Sequence, residues 1–245
     1  MKYLNIFLAT ILLLTIIDNG CSVFAMDAGF STEQISKEDA NKVVKNINIR
    51  LLTNEPPKRG INCFSVNEDG KIAIGSETIE NKTICIYTSD GVFQRGYSFS
   101  CSGSFGIELD NNTLIIYLVR SDLAITVDQE GRVEKVLRIQ NTPDNNSYWN
   151  NTVFASKIKV KDAEYTLENS GLFNKFSSSY SRLAISVNGE KTIIYDVSTT
   201  QNLRNMVGLI LIFSLICSVL YIVLHYFKQQ HHAETETNDK TRFCK

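Results

Sequence analysis

Few residues in this chain have the types and spacing that catalysis requires. Its three histidines, His225, His231 and His232, all lie close to the C-terminus. Nucleophilic triads use a histidine base, so the rest of the chain lacks the usual base for a serine or cysteine nucleophile. No phosphate-binding glycine loop follows a predicted strand. We therefore predict that the protein is not an enzyme and has no catalytic residues.

Carboxylate pairs occur at Glu108 and Asp110 and at Asp128 and Glu130. Each pair lies at or beside a predicted turn, where acidic side chains are ordinarily solvated. A calcium ion takes about six to eight oxygen ligands, which is more than either short segment supplies. The sequence predicts no metal site and no cofactor.

A segment of aromatic and amide residues, Asn145–Asn151, is a better candidate for recognition. Tyr148 and Trp149 are flanked there by Asn146 and Asn150. Aromatic rings beside amides suit a sugar ring or the peptide of a partner. We predict a binding surface for a ligand or partner at these four residues. For Trp149, the only tryptophan, the first interpretation is that it closes a sheet core, and the binding role is the alternative.

Short apolar segments that alternate with polar residues and are separated by turns fill residues 57–199, which predicts an all-β domain. A proline-containing loop is predicted at Asn141–Asn151, and Phe173 and Phe176, before the serine run Ser177–Ser181, are predicted to lie in a packed turn. The predicted strands are Cys63–Val66, Lys71–Gly75, Thr83–Tyr87, Val92–Phe99, Ser104–Leu109, Thr113–Leu118, Leu123–Val127, Val133–Ile139, Lys157–Val160, Glu164–Leu167, Leu183–Val187 and Thr192–Asp196.

The strand pattern repeats, because the turn glycines Gly91 and Gly131 are 40 positions apart. Four strands in about 40 residues is the size of one propeller blade. Asp69–Ile74 and Ile84–Phe93, with their Asp-Gly turns, resemble a blade of the NHL-type β-propellers, and the match covers residues 63–139. The resemblance implies a rigid scaffold that displays loops for recognition.

Three such units cannot close a ring that typically needs at least four blades. We therefore predict propeller-like repeats of four-stranded antiparallel sheets arranged as an incomplete ring or an irregular stack. A homodimer in which two copies complete one another is the alternative. Residues 26–56 precede the repeats and are predicted to form a short helix or arm, with helix formers from Glu33 to Val44.

Two apolar runs bracket the chain. The first, Met1–Ala25, has the pattern of a signal peptide, with an uncleaved anchor as the alternative. The second, Met206–Phe227, carries no charge and is long enough for a transmembrane helix. This predicts a single-pass protein of the cell membrane, with residues 26–205 extracytoplasmic, a linker at 200–205 and residues 228–245 cytoplasmic.

Three cysteines, Cys63, Cys85 and Cys101, lie in the predicted extracytoplasmic part. An odd number allows at most one disulfide within the chain. Free thiols are the first interpretation, and a Cys63–Cys85 or Cys85–Cys101 bridge is the alternative.

The balance of 25 Lys+Arg against 26 Asp+Glu argues against nucleic acid as a partner. We predict a bacterial membrane protein that displays a β-repeat module for binding, with a membrane or cell-envelope protein as partner and a glycan as a second candidate. The alternative is a sensory or regulatory subunit whose span pairs with another protein through the small residues Ser214 and Ser218. A cell-wall-acting enzyme is disfavoured because the predicted extracytoplasmic part, residues 26–205, contains no histidine.

Overall fold

The computed structural model of the protein describes residues 29–78, 81–110 and 113–242. The predicted signal peptide, residues 1–25, lies outside the described residues. In the described part, a π-helical turn covers Trp149–Val153 and short 3-10 helices cover Val119–Ser121 and Phe173–Phe176. The α-helices are α1 (Lys37–Ile47), α2 (Pro143–Tyr148) and α3 (Ser198–Arg242). The strands are β1 (Thr32–Gln34), β2 (Arg50–Leu52), β3 (Ile61–Val66), β4 (Ile72–Glu77), β5 (Lys82–Tyr87), β6 (Phe93–Phe99), β7 (Phe105–Asp110), β8 (Thr113–Leu118), β9 (Leu123–Val127), β10 (Val133–Ile139), β11 (Lys157–Val160), β12 (Ala163–Glu168), β13 (Arg182–Val187) and β14 (Glu190–Asp196).

The predictions of β3 to β14 are confirmed, and these strands form three antiparallel sheets. Sheet 1 has the order β2-β6-β5-β4-β3, sheet 2 the order β1-β10-β9-β8-β7, and sheet 3 the order β11-β12-β13-β14. Each sheet is built on four consecutive strands that run up and down. Gly91 joins β5 to β6, and Gly131 joins the equivalent strands β9 and β10, so the spacing of 40 residues in the sequence reflects two sheets of the same design.

One type of turn recurs between consecutive strands. Gly70, Gly91 and Gly131 have φ of 78°, 79° and 84°, a conformation that glycine adopts without strain. At the start of the last turn, the Asp128 carboxylate accepts hydrogen bonds from the backbone N–H groups of Glu130 and Arg132 at 3.0 and 2.8 Å. The side chain of Asn67 does the same in the first turn. The turns are thus set locally, by residue type.

Sheet 1 is the middle layer of the stack, because side chains alternate along its strands between two hydrophobic cores. Ile84 and Ile86 of β5 join a core shared with sheet 2, which includes Ile107 and Ile116. Cys85 and Tyr87, the alternate residues of the same strand, join a core shared with sheet 3, together with Tyr165, Leu167 and Leu183.

The two outer faces of the stack differ, and this difference explains why the described residues form no closed propeller. The outer face of sheet 3 is polar and carries the ion pairs Lys157–Glu164 and Lys191–Glu168. Packing another sheet there would remove these charges from water, which is costly. The outer face of sheet 2 is apolar but is covered by Phe30 and the segment that follows β10. The irregular stack, rather than a ring, is the arrangement observed.

The predicted N-terminal arm is part of the sheets. β1 pairs with β10 and β2 pairs with β6, so each adds an edge strand. Helix α1 begins at Lys37, after Ser36, whose hydroxyl accepts a hydrogen bond from the Asp39 N–H at 3.1 Å. The helix prediction from Glu33 is therefore wrong in its start, because pairing with β10 holds the preceding residues extended.

Helix α3 follows sheet 3 without a break. Residues 200–205, the predicted linker, are helical and form part of the first turns of α3. Among the described residues, α3 is the one helix long and apolar enough to cross a membrane. The candidate span is Ser198–Tyr226, and its most apolar 18-residue window has a mean hydropathy of 2.9. Its apolar stretch makes no packing contact with the sheets, as expected of a helix that is covered by lipid.

Candidate functional site

The predicted recognition segment lies against the outer face of sheet 2. It is helical, so the loop prediction for Asn141–Asn151 is wrong. Thr142 provides the N-cap, because its hydroxyl accepts a hydrogen bond from the Asn145 N–H at 3.2 Å. Pro143 occupies the start of the helix, where its missing N–H costs nothing. Both local signals of a helix start are in the sequence, but asparagines are typical of turns and loops, so the run of asparagines favoured a loop.

Asn145 fixes this segment to the N-terminal arm. Its side chain is buried, and its Oδ1 accepts a hydrogen bond from the Ser31 N–H at 2.9 Å. Its Nδ2 donates to the carbonyl oxygens of Ser31 and Gln140 at 3.0 and 2.6 Å. Both Nδ2 hydrogens and the Oδ1 oxygen of this amide thus take part in holding α2 in place.

Trp149 belongs to an aromatic cluster beneath α2. Its ring centroid lies 4.7 Å from that of Phe30, 5.7 Å from that of Tyr117 and 5.7 Å from that of Phe154, with which it stacks. The cluster needs a glycine at position 106 of β7, because a Cβ there would lie 2.1 Å from Val153 Cγ1. Trp149 is thus half-buried and covers sheet 2, which matches the first interpretation given to it above.

The four predicted binding residues are neighbours that face different ways. Tyr148 and Trp149 are half-buried on the sheet side of the segment, whereas Asn146 and Asn150 are exposed. Asn150 Nδ2 donates to the backbone carbonyl oxygen of Asn146, one turn earlier, at 3.0 Å. The two exposed asparagines form what we call the amide ridge. The part of this surface that is accessible to a partner is therefore mainly amide, and its binding role stays a prediction.

Glu108 has a role that the sequence did not indicate. Its carboxylate accepts hydrogen bonds from the hydroxyl of Tyr117 and, at 2.7 Å, from that of Tyr148. Burial raises the pKa of both tyrosines above the ordinary value, and the adjacent Glu108 carboxylate raises it further. The interpretation of Glu108 as a solvated acid beside a turn is wrong. Register would have revealed this, because Glu108 pairs with Ile115, which lies in the core under α2.

Two cavities lie between the first strands of sheets 1 and 2, and Glu108 lines both. One, of about 270 Å³, extends from Phe64 and Ile107 to Asn151 and Lys157. The other, of about 380 Å³, continues past Glu68, Asp110 and Thr126. Acidic and amide side chains line this cleft beside apolar strand residues. Such a lining can hydrogen-bond a polar, uncharged or cationic ligand.

Cys63, Cys85 and Cys101 are free thiols, as first interpreted. Cys63 and Cys85 lie on opposite faces of sheet 1, in different cores. Burial raises the pKa of the Cys63 thiol strongly and that of Cys85 to about 11, so neither is a reactive thiolate at neutral pH.

The predicted pairing residues of the span, Ser214 and Ser218, are exposed on α3. The Ser218 hydroxyl donates to the Ser214 carbonyl oxygen at 2.9 Å and so needs no partner for its proton. Across the described residues, no group of three or more His, Cys, Asp or Glu side chains is arranged to hold a metal ion.

Comparison of this chain with known protein families and with curated proteins gives no match. Support for a function therefore comes from the geometry of the described residues.

Proposed function

We propose that this protein is a single-pass membrane protein whose β-sheet domain is a non-catalytic interaction module held at the membrane surface. One observation carries the proposal. Helix α3 begins within the folded domain and continues without a break into a stretch that is long and apolar enough to cross a membrane.

The joint between domain and helix is built from buried amides. Gln201, which is 2% exposed, donates from Nε2 to the Ser179 carbonyl oxygen at 3.0 Å. Asn174, which is fully buried, donates to the Ser198 carbonyl oxygen at 2.9 Å. Asp196 accepts from the Ser198 N–H at 2.7 Å and caps the first turn. Such a joint holds the domain at a fixed position relative to the helix, as opposed to the flexible linker of a tethered domain.

The interaction surface proposed for this module is the amide ridge of Asn146 and Asn150 with the adjoining cleft at Glu108. The ridge lies on the outer side of sheet 2, and the adjoining cleft reaches Lys157 of sheet 3. A partner in the same membrane or in the cell envelope fits a domain held so close to the bilayer, and a glycan fits the amides and carboxylates of the cleft. The proposal puts the domain on the extracytoplasmic side, as the signal-peptide pattern of residues 1–25 predicts.

Membrane extraction and protease protection test the anchor and its orientation. We expect the full chain to resist alkaline carbonate extraction and a deletion of residues 206–227 to abolish that resistance. In spheroplasts, added protease should digest the β-sheet domain and spare an epitope placed after residue 245. Extraction of the full chain by carbonate would contradict the anchor, and protection of the domain would contradict its orientation.

A photo-crosslinking amino acid at Asn146 tests the interaction surface in intact membranes. The matched control is Asn41, an exposed asparagine on helix α1. We expect a discrete crosslinked species from position 146 alone. A different result would be a crosslinked species that also forms with the crosslinker at position 41, and that disappears when Ser214 and Ser218 are both replaced by isoleucine. That result would favour pairing through the span as the function.

A further inference from the structure

The short helix Phe173–Phe176 and its neighbour Leu172 show an inverted polarity. Leu172 is 67% exposed and Phe176 is 76% exposed, the highest value of any large apolar side chain in the described part of the chain. Between them, Asn174 is completely buried. Soluble surfaces place the amide outside and the rings inside, so the reversed order indicates that the outer surroundings of this segment are apolar.

The exposed position of these side chains is built into the fold. Asn202 Oδ1 of helix α3 accepts a hydrogen bond from the Phe173 N–H at 3.0 Å. Asn205 Nδ2 donates to the Phe173 carbonyl oxygen and to Asn174 Oδ1, both at 3.3 Å. Three amides thus clamp the segment onto the first turns of α3, and Leu172 and Phe176 are left facing outwards.

The clamp also sets the depth of the segment relative to the span. Asn205 immediately precedes Met206, where the uncharged apolar stretch begins. Each helical residue rises about 1.5 Å, so Asn202 and Asn205 lie within one turn of the hydrocarbon boundary. The segment that they hold lies at the same level, in the interfacial layer where aromatic side chains are enriched.

We propose that Leu172 and Phe176 insert into the lipid interface beside the span and form a second membrane contact of the β-sheet domain. The proposal rests on the proposed membrane anchoring through α3. Lys175 is exposed in the same segment and Arg204 is exposed on α3 next to Asn205, at a level where cationic side chains can meet lipid phosphates. The insertion restrains the rigid unit of domain and α3 from tilting and rotating relative to the bilayer, and so presents its recognition surface in one orientation.

Tryptophan quenching by brominated lipids tests this contact in the full chain, reconstituted into phospholipid vesicles. The native protein, with Trp149 as its only tryptophan, gives the baseline. Phe176→Trp is the test variant, and Phe213→Trp, at a 69% exposed position within the span, is the positive control. Both substitutions replace one exposed aromatic ring by another, so neither perturbs packing.

We expect the added emission of Phe176→Trp to fall about twofold with bromine near the headgroups and much less with bromine at the chain ends, as for an interfacial side chain. Quenching at position 213 without quenching at 176 would overturn the lipid contact alone. A blue-shifted, unquenched emission at 176 would assign the surface to a protein partner and would also overturn it. Absence of quenching at position 213 would overturn the anchoring itself.

Discussion

Two short helical segments of this protein contain similar residues, aromatic rings and asparagines, but bury opposite kinds of side chain. The segment that covers sheet 2, α2 with its π-helical turn, buries the rings of Tyr148 and Trp149 and exposes the amides Asn146 and Asn150. The segment at the base of α3 buries the amide of Asn174 and exposes the ring of Phe176. The sequence favoured burial in both cases, with Trp149 closing a sheet core and Phe176 in a packed turn, and only the first is observed.

The difference teaches that the surroundings of a segment decide which of its side chains are buried. The first segment meets an apolar sheet face, and burial of rings there removes apolar area from water. The second meets the polar first turns of α3, where unpaired helix groups and amides need hydrogen bonds. These hydrogen bonds leave Phe176 on the outside, where the proposed surroundings are lipid.

The largest expected effect is on the ring that covers sheet 2. Trp149→Ala should lower the free energy of unfolding by about 3 kcal/mol, because it leaves a cavity between Phe30 and Tyr117. Urea titration of the full chain in detergent micelles, followed by circular dichroism, measures this. Asn146→Ala, at an exposed position of the same segment, is the control and should stay within about 0.5 kcal/mol of the native protein. Equal effects of the two changes would contradict the packing role of Trp149.

The next effect concerns the buried amide of the second segment. Asn174→Ala should lower the free energy of unfolding by about 2 kcal/mol, because it removes the hydrogen bonds of this amide to the Ser198 carbonyl oxygen and to Asn205. It should also speed hydrogen exchange in residues 198–205, which would show that the domain has loosened from α3. Asn145→Ala serves as the comparison, since it removes a similar buried amide and should loosen α2 and leave α3 protected. Unchanged exchange at residues 198–205 in Asn174→Ala would show that the joint does not depend on this amide.

The segment on sheet 2 should also be sensitive to alkaline pH. Burial, and then Glu108, raise the pKa of Tyr148, so its neutral form is favoured in the folded state. Its contribution is complete below the ordinary tyrosine pKa of about 10 and is lost as the pH rises further. Tyr148→Phe should cost about 1 kcal/mol at neutral pH, through loss of its bond to Glu108, and should unfold less steeply above pH of about 10. If the free energy of unfolding of the variant fell with pH above about 10 as steeply as that of the native protein, Tyr148 would not be the group that titrates on unfolding.

The smallest effect is expected at Phe176. Phe176→Ser in detergent micelles should change the free energy of unfolding by no more than about 0.5 kcal/mol, because the ring packs against little of the protein. A loss comparable to that of Trp149→Ala would mean that the ring is covered by protein, and the comparison of the two segments would fail.

Much of the fold was predictable because its signals are local. Alternation along strands such as Leu123–Val127 and the turn glycines at positions 91 and 131 act over a few residues, and both were interpreted correctly. The edge strands β1 and β2 were missed, since each is only three residues long and forms by pairing with a distant strand. Glu108 was missed for the same reason, because its tyrosine partners come from β8 and α2.

The sequence by itself determined where strands and turns lie and where an apolar helix can cross a membrane, because alternation, turn chemistry and hydropathy depend on neighbouring residues. Only the tertiary structure decided that three sheets stack without closing, that Trp149 faces inwards and that Phe176 faces outwards. These outcomes depend on contacts between residues far apart in the chain, such as Asn145 with Ser31 and Asn174 with Ser198. Such contacts leave no periodic signal in the sequence.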